Sequence, residues 1–152
     1  AIDGFCAQTE VGGVDVDSDA FECFRVDFGT SVGSEGHTAR ATAHRLVHPV
    51  KIWKRIDRST PALMQACAQN QRIDGEIMMF ETDSQTGETV HFFSLHIGNG
   101  RITAVESVDP DTLDPETGSR PAYQVISIRP HTLRYEDKIG ATEYVDEANV
   151  SV

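Results

Sequence analysis

The chain has 152 residues, of which 39% are hydrophobic, and its 13 Lys and Arg against 24 Asp and Glu give a net charge of -11. This length predicts a single domain over residues 1–152, with enough apolar residues for a buried core. The acidic balance repels phosphate backbones and anionic lipid, which makes nucleic acid and membrane surfaces poor candidate partners. The longest apolar runs, such as Ile77–Phe80, fall far short of the roughly 20 residues of a membrane span, so no membrane insertion is predicted.

Most of the chain has the pattern of β-strands separated by turn residues. The candidate strands are rich in β-branched and aromatic residues and are bounded by Gly, Asp, Ser or Pro. Asp83–Gly87 predicts a hairpin loop, and Gly98–Gly100 predicts a tighter turn because Gly and Asn tolerate positive φ. A mainly β fold follows, with strands at Ala20–Phe28, Ala41–Ile56, Gly75–Thr82, Thr89–Ile97, Ile102–Val108 and Tyr123–Tyr135.

One helix is predicted at about residues 60–70. Thr60 is the expected N-cap, and Pro61 suits the first helical position because the N–H there needs no intrahelical partner. Leu63, Ala66 and Cys67 fall on one face of this helix. A helix this short is marginal in water, so we expect that face to pack on the sheet.

Two further segments lack hydrophobic periodicity and are predicted to be exposed loops. Gly29–Thr38 is rich in small and flexible residues. The segment 109–121 has four acids and three prolines, and loops of this length are usually functional or mobile. Neither this segment nor the acidic segment 11–19 has a pattern that assigns it a role.

Charge is unevenly distributed along the chain. Six of the 13 basic residues lie between Arg40 and Arg58, where Asp57 is the only acid, whereas the first 35 residues contain eight acids and only Arg25. If these regions form opposite edges, copies attract head to tail and close into a ring or extend as a filament. Alternatively, the basic band pairs with acids inside its own subunit.

Several candidate strands are apolar on both faces. Ile77 and Met79 point to one side of the sheet while Met78 and Phe80 point to the other, because side chains alternate along a strand. A single buried face does not account for this surplus. Either the helix or a subunit interface is expected to cover the second face.

Metal-binding and catalytic patterns are weak. Asp15, Asp17 and Asp19 alternate as in a calcium loop, but Ala20 replaces the required glycine and Val26 replaces the bidentate acid. We interpret them as an acidic surface turn. No catalytic residue, metal site or cofactor is predicted.

Histidines and cysteines give no site either. His44 and His48 would lie about 13 Å apart on a strand, and the odd spacing of His91 and His96 places them on opposite faces. The odd number of cysteines without a Cys-x-x-Cys motif argues against a disulfide framework, and we expect free buried thiols at Cys6, Cys23 and Cys67.

The segment around the helix resembles a known family. Trp53–Cys67 reads WKRIDRSTPALMQAC, with a strand that ends in basic residues, a charged pair and Ser-Thr-Pro before a short helix. This run resembles the hemolysin-coregulated protein (Hcp) family, the tube subunit of bacterial type VI secretion. The downstream order agrees over the strands Glu76–Glu81, Phe92–Ile97, Ile102–Val108 and Leu133–Glu136, and the resemblance extends over about Phe21–Glu147.

The resemblance implies a compact β-barrel or sandwich of two antiparallel sheets with one flanking α-helix. It also implies a structural role without catalysis: hexameric rings stack into a tube that is propelled from the cell and holds effectors in its lumen. Its implied partners are further copies of itself, the sheath, the spike and small effector proteins. The implied location is the cytoplasm before firing, followed by secretion without a signal peptide.

Candidate assembly residues come from the basic band and from the first loop. The basic band suggests an electrostatic ring interface at Lys51, Lys54, Arg55 and Arg58. By resemblance, Gly29–Thr38 corresponds to the extended loop that meets the neighbouring ring. The candidate stacking residues there are Ser31, Gly33 and His37.

Two alternatives remain at this stage. The tail-tube subunit of a phage-like contractile particle shares the implied architecture. A monomeric β-barrel that binds a small ligand or acts as a hydrolase would need an interior cavity with convergent polar groups. Replacement of His44 or His48 by Ala would impair the monomeric barrel but is not expected to impair a structural subunit.

Overall fold

The computed structural model describes residues 10–11, 14–15, 20–33 and 45–147. Within these ranges there are eleven β-strands and one α-helix. The helix α1 spans Thr60–Ala68. The strands are β1 Glu10–Val11, β2 Val14–Asp15, β3 Cys23–Asp27, β4 Thr30–Ser31, β5 Leu46–Val47, β6 Val50–Arg55, β7 Arg72–Thr82, β8 Thr89–Val108, β9 Tyr123–Arg129, β10 Thr132–Asp137 and β11 Thr142–Glu147.

Seven strands form one antiparallel sheet organised around β8. The order is β11-β10-β8-β9-β6-β3, and β7 pairs with the other edge of β8. Strands β9 and β10 follow one another along the same edge of β8, and Pro130 and His131 separate them. Strands β1 with β2 and β4 with β5 form two small sheets. The predicted mainly β, barrel-like fold with one flanking helix is confirmed.

Side-chain contacts show how the large sheet curls. The ring of Phe28, directly after β3, packs on Phe93 of β8 at 6.2 Å and on Tyr135 of β10 at 6.1 Å between centroids. Arg45, just before β5, forms an ion pair of 2.6 Å with Asp146 of β11. The β3 end of the strand order therefore approaches β10, and the segment that leads into the small β4–β5 sheet is tied to β11.

The hydrophobic core lies between the curled sheet and α1. Leu95, Ile126 and Leu133 are almost fully buried, and Leu63 and Ala66 of α1 join the same cluster. The predicted packing of the helix on the sheet is confirmed. The remaining buried apolar members are Val50, Ile52, Ile77, Ile97, Ile102 and Ile128.

The tight turn predicted at Gly98–Gly100 is wrong, because β8 continues through it as one strand of 20 residues. Asn99 does adopt a positive φ of 51°. Its N–H donates to Oδ1 of Asp74 on β7 at 2.7 Å, so the backbone distortion is held inside a paired strand. The hairpin predicted at Asp83–Gly87 is confirmed, with the Gly87 N–H donating to the Asp83 carbonyl at 2.8 Å.

The helix begins one residue from the expected cap. Ser59, and not Thr60, is the N-cap residue, and its side chain does not cap the helix. The Thr60 hydroxyl instead accepts the Asp57 N–H at 3.1 Å and donates to Oε1 of Gln124 at 2.9 Å. Thr60 therefore fastens the helix entry to β9. No helix in the described ranges has the length and apolar character of a membrane span.

Candidate assembly surfaces

Strand alternation divides the predicted basic band between two faces of β6. Lys51, Trp53 and Arg55 lie on one face, here called the outer face, whereas Val50, Ile52 and Lys54 point into the core. Lys51 and Arg55 are exposed, as is Arg58 in the turn before α1. The four predicted ring-interface cations therefore do not form one surface.

Lys54 is fully buried inside its own subunit. Its Nζ donates to the Arg55 carbonyl at 2.8 Å, to Asp57 Oδ1 at 2.9 Å and to Gln124 Oε1 at 2.8 Å, and it lies 5.1 Å from the centroid of the Phe21 ring. This placement corrects the prediction of Lys54 at an exposed edge. A buried ammonium needs such a complete set of acceptors.

Asp57 completes the corner between β6 and α1. Burial on its own would raise the pKa of the Asp57 carboxyl, but hydrogen bonds from Ser59 and Lys54 outweigh it and hold the pKa below its ordinary value of 3.8. Both the N–H and the hydroxyl of Ser59 donate to Oδ1 of Asp57. We call Lys54, Asp57, Ser59, Thr60 and Gln124 the helix-entry network.

The outer face keeps cations that the subunit does not neutralise. Arg25 lies over the Trp53 ring, 4.4 Å from its centroid, and forms an ion pair of 3.0 Å with Asp27. Across the described part of the chain, neither Lys51 nor Arg55 forms a salt bridge. Within the described part of the basic band, pairing inside the subunit therefore accounts for Arg45 and Lys54 but not for Lys51 and Arg55.

The base of the predicted stacking loop is held by a histidine. Ser31 Oγ lies 2.9 Å from Nε2 of His48, and the His48 N–H donates to the Gly29 carbonyl at 2.9 Å. Ser31 belongs to β4, and Gly33 is exposed at the end of that described range. His37 and His44 lie outside the described residues. Ser31 and His48 thus join the two sides of the loop where it leaves the sheet.

A groove of about 320 Å³ lies beside this loop base, lined by Asp27, Phe28, His48, Pro49 and Lys51. It is located where β6 begins, and Arg55 stands four residues further along the strand, about 13 Å away. Lys51 therefore lies on the same surface as the loop base, whereas Arg55 lies at the other end of the strand.

The opposite end of the same strands has a folded acidic loop, residues 109–122. Oδ1 of Asp111 accepts the Leu113 N–H, and Oδ1 of Asp114 accepts the Glu116 N–H, each at 2.9 Å. These bonds shape the loop so that Leu113 is 90% exposed. The sequence analysis assigned this loop no role. The position of Leu113 between the acids Asp111 and Asp114 could have indicated an exposed apolar side chain.

A polar network crosses β7, β8 and β10. Ser94 Oγ donates to Oε1 of Glu76 and lies near Nε2 of His91, both at 2.6 Å, and His96 Nε2 lies 3.0 Å from Oε2 of Glu136. The prediction that His91 and His96 face opposite ways is wrong.

A shift in the β7–β8 register between Met79 and Phe80 explains this outcome, because a β-bulge reverses the alternation beyond it. Within the described ranges, no group of three His, Cys, Asp or Glu side chains could hold a metal ion.

The sheet has open edges in the described part of the chain. Strands β3, β7 and β11 each pair on one side only. Tyr144 on β11 is 61% exposed and Phe24 on β3 is 58% exposed. Open strand edges with exposed aromatic side chains are surfaces that proteins normally cover.

Comparison with known proteins identifies the family. A family model described as "Type VI secretion system effector, Hcp" matches residues 11–136. The chain belongs to the Hcp family. The family assignment made from Trp53–Cys67 is confirmed, and this protein is a type VI secretion system Hcp protein.

Solved Hcp structures share this fold at low sequence identity. One described as a crystal structure of Hcp protein has a TM-score of 0.76 at 19% identity, covering 86% of this chain and 78% of its own. A mutant of Hcp1 from the E. coli EAEC 042 pathovar has a TM-score of 0.73 at 21% identity, covering 90% and 88%. Secreted Hcp3 from Pseudomonas aeruginosa has a TM-score of 0.67 at 15% identity, covering 86% and 76%. No curated protein matches the chain.

Proposed function

We propose that this Hcp protein is a non-catalytic tube subunit, with residues 1–152 forming one tube domain. Six copies form a ring, rings stack into a tube, and the tube is propelled from the cell with small effector proteins in its lumen. Sheath and spike proteins are the further partners. The protein resides in the cytoplasm before firing and leaves without a signal peptide. Membership of the Hcp family supports this role.

The observation on which ring formation rests is that β3 and β11, at the two ends of the strand order, each pair on one side only within the described residues. Strand β11 presents Tyr144 and the acid Glu147, which forms no salt bridge in the described residues, whereas Glu143 is already paired with Arg134 at 3.4 Å. The β3–β6 side presents Phe24 on β3, with Arg55 at the end of the neighbouring strand β6 and Arg58 three residues after it. An acidic apolar edge and a basic apolar edge on one chain attract each other between copies, and such a heterologous contact closes into a ring.

The predicted assembly residues have different roles in this proposed assembly. Arg55 and Arg58 contribute to the ring contact. Lys51 joins Ser31, Gly33 and His37 on the stacking side, because Lys51 lies in the groove at the loop base. Lys54 acts indirectly, since its buried ammonium holds the helix entry in place.

Sedimentation velocity of the purified chain tests the ring contact. The variant Arg55→Glu with Arg58→Glu should shift the protein from ring to monomer, and added salt should weaken the wild-type ring. Arg72→Glu is the control for charge reversal, because Arg72 is an exposed cation outside the basic band that is already paired with Asp74 in its own subunit. If the double variant sediments as a ring like the control, the basic side does not form the ring contact.

A further inference from the structure

We propose that the acidic loop 109–122 of one subunit docks into the groove at the loop base of a second copy stacked on it. Leu113 enters the groove between Phe28 and Pro49, and the loop acids face Lys51. The occupant of the groove is thus a second copy of this chain. This inference rests on the proposed tube and names the contact that would join its rings.

The two partners of this contact lie at opposite ends of the same strands. Strand β6 runs from Lys51, beside the groove, to Arg55, whose register partner on β9 is Tyr123. The acidic loop ends immediately before Tyr123, and the Ile56 N–H donates to the Ala122 carbonyl at 3.2 Å. One subunit therefore cannot fill its own groove with its own loop, whereas a copy placed end to end can.

The loop is shaped for docking before contact. The Thr117 and Gly118 N–H groups both donate to the Asp114 carbonyl, at 3.2 and 2.7 Å, in addition to the bonds formed by the Asp111 and Asp114 carboxylates. A loop that is already ordered loses little conformational entropy when it binds. Leu113 then offers a nearly fully exposed apolar side chain whose burial favours association.

The groove matches the loop in character. Phe28 and Pro49 provide apolar walls, and Lys51 provides a cation that has no salt bridge in the described part of the chain. Asp27, the acid in the groove wall, is already paired with Arg25. On the loop, the acids Asp111, Asp114 and Glu116 form no salt bridge within the described ranges. Charge complementarity between the two ends therefore favours a second copy as the occupant.

Cross-linking of the full chain tests the contact. Leu113→Cys combined with Pro49→Cys places one thiol at each end, and a seated loop would bring the two within disulfide range. Because every copy has both ends, mild oxidation should give a reducible ladder at multiples of 16.7 kDa. Leu113→Cys and Pro49→Cys proteins mixed as single variants should give dimers only.

Two references control for other disulfides. The wild-type chain shows how much cross-linking the native cysteines produce by themselves. Burial raises the pKa of the Cys23 thiol, which keeps this thiol protonated and slow to oxidise. Ile139→Cys with Pro49→Cys pairs the groove with another exposed apolar residue, since Ile139 is 66% exposed in a different turn. We expect roughly tenfold less ladder from this control than from the Leu113 pair.

A charge variant in the cross-linking background separates docking from chance collision. Asp111→Asn, Asp114→Asn and Glu116→Gln together remove three charges, while the Asn side-chain oxygens still accept the loop N–H bonds. The ladder should form several-fold more slowly at low salt, and Lys51→Glu should have the same effect. Asp83→Asn with Glu88→Gln removes charge from the β7–β8 hairpin and should leave the rate unchanged.

The ring state of the same samples distinguishes this inference from the proposed function. Rings without a ladder above the Ile139 control would overturn the docking contact and leave ring formation standing. A specific ladder from a protein that forms no ring would support the docking contact and contradict the hexameric tube. A ladder that is insensitive to the charge variant and to Lys51→Glu would also overturn the inference.

Discussion

At the scale of single residues, the helix-entry network explains why a cation is tolerated in the core. Lys54 exchanges hydration for three acceptors, and the nearest carboxylate, Asp57, also holds the N–H and hydroxyl of Ser59. Gln124 links this corner to β9, although its Nε2 is buried without a partner in the described structure. The network therefore fixes where β6 ends and α1 begins.

Removing the buried ammonium should destabilise the subunit. Lys54→Met keeps the length of the side chain but removes the charged donor, so that Asp57 keeps only the bonds from Ser59 and Gln124 Oε1 keeps only the bond from Thr60. We expect a loss of about 3 kcal/mol in the free energy of unfolding. The matched variant Lys51→Met removes an exposed cation from the same strand and should change stability by about 0.5 kcal/mol or less. Urea denaturation measures both. Equal losses of unfolding free energy in the two variants would show that Lys54 does not hold the helix-entry network together.

The Asp57 carboxylate should contribute stability that depends on pH. Because its pKa is lower in the folded chain than the ordinary 3.8, the contribution is present above that value and is lost as pH falls through the lowered folded pKa. The variant Asp57→Asn lacks this pH-dependent contribution to stability, because the Asn side chain is uncharged like the protonated acid. The stability gap between wild type and Asp57→Asn should therefore be widest near neutral pH and shrink below about pH 4. A gap that stays constant down to pH 3 would contradict this assignment.

At the scale of elements, alternation and turn chemistry predict much of the secondary structure correctly. The Asp83–Gly87 hairpin and the helix near Pro61 follow from local preferences that the tertiary structure leaves intact. The continuation of β8 through Gly98–Gly100 could not be predicted from these local preferences. Gly and Asn are a local signal for a turn, but pairing with β9 and β10 on one edge and with Asp74 on the other keeps β8 continuous through this segment.

The two glycines of that segment should respond differently to a methyl group. A Cβ at Gly100 would meet Cγ2 of Ile97 at 3.0 Å and Cγ2 of Ile128 at 3.2 Å, whereas a Cβ at Gly98 would meet only Thr132, at 3.4 Å or more. Gly100→Ala should cost about 1 kcal/mol through overpacking, while Gly98→Ala should be neutral or slightly stabilising. Thermal unfolding midpoints test this. Equal midpoints for the two variants would contradict the close packing at Gly100.

The placement of the histidines shows a second limit at this scale. A β-bulge adds one residue to one strand, and whether it forms depends on the partner strand. Nothing local to His91 reveals the register shift between Met79 and Phe80 that brings it toward Ser94. Strict alternation is therefore informative only up to the first bulge.

At the scale of the whole molecule, the sequence indicates the family and the fold but only part of the assembly surface. Alternation along β6 could have separated Lys54 from Lys51 and Arg55 in advance. The burial of Lys54 could not have been foreseen, because its acceptor Gln124 is 70 positions away in the chain. Of the basic residues that segregated charge singled out, Arg45 and Lys54 are paired inside the subunit, whereas Lys51 and Arg55 form no salt bridge in the described residues.

The central claim is that this Hcp protein assembles into hexameric rings, and native mass spectrometry at micromolar concentration tests it most directly. Six copies of the 16.7 kDa chain predict a species of about 100 kDa, with larger species at multiples of that mass where rings stack. A monomer of 16.7 kDa that persists across salt and protein concentration would contradict the account.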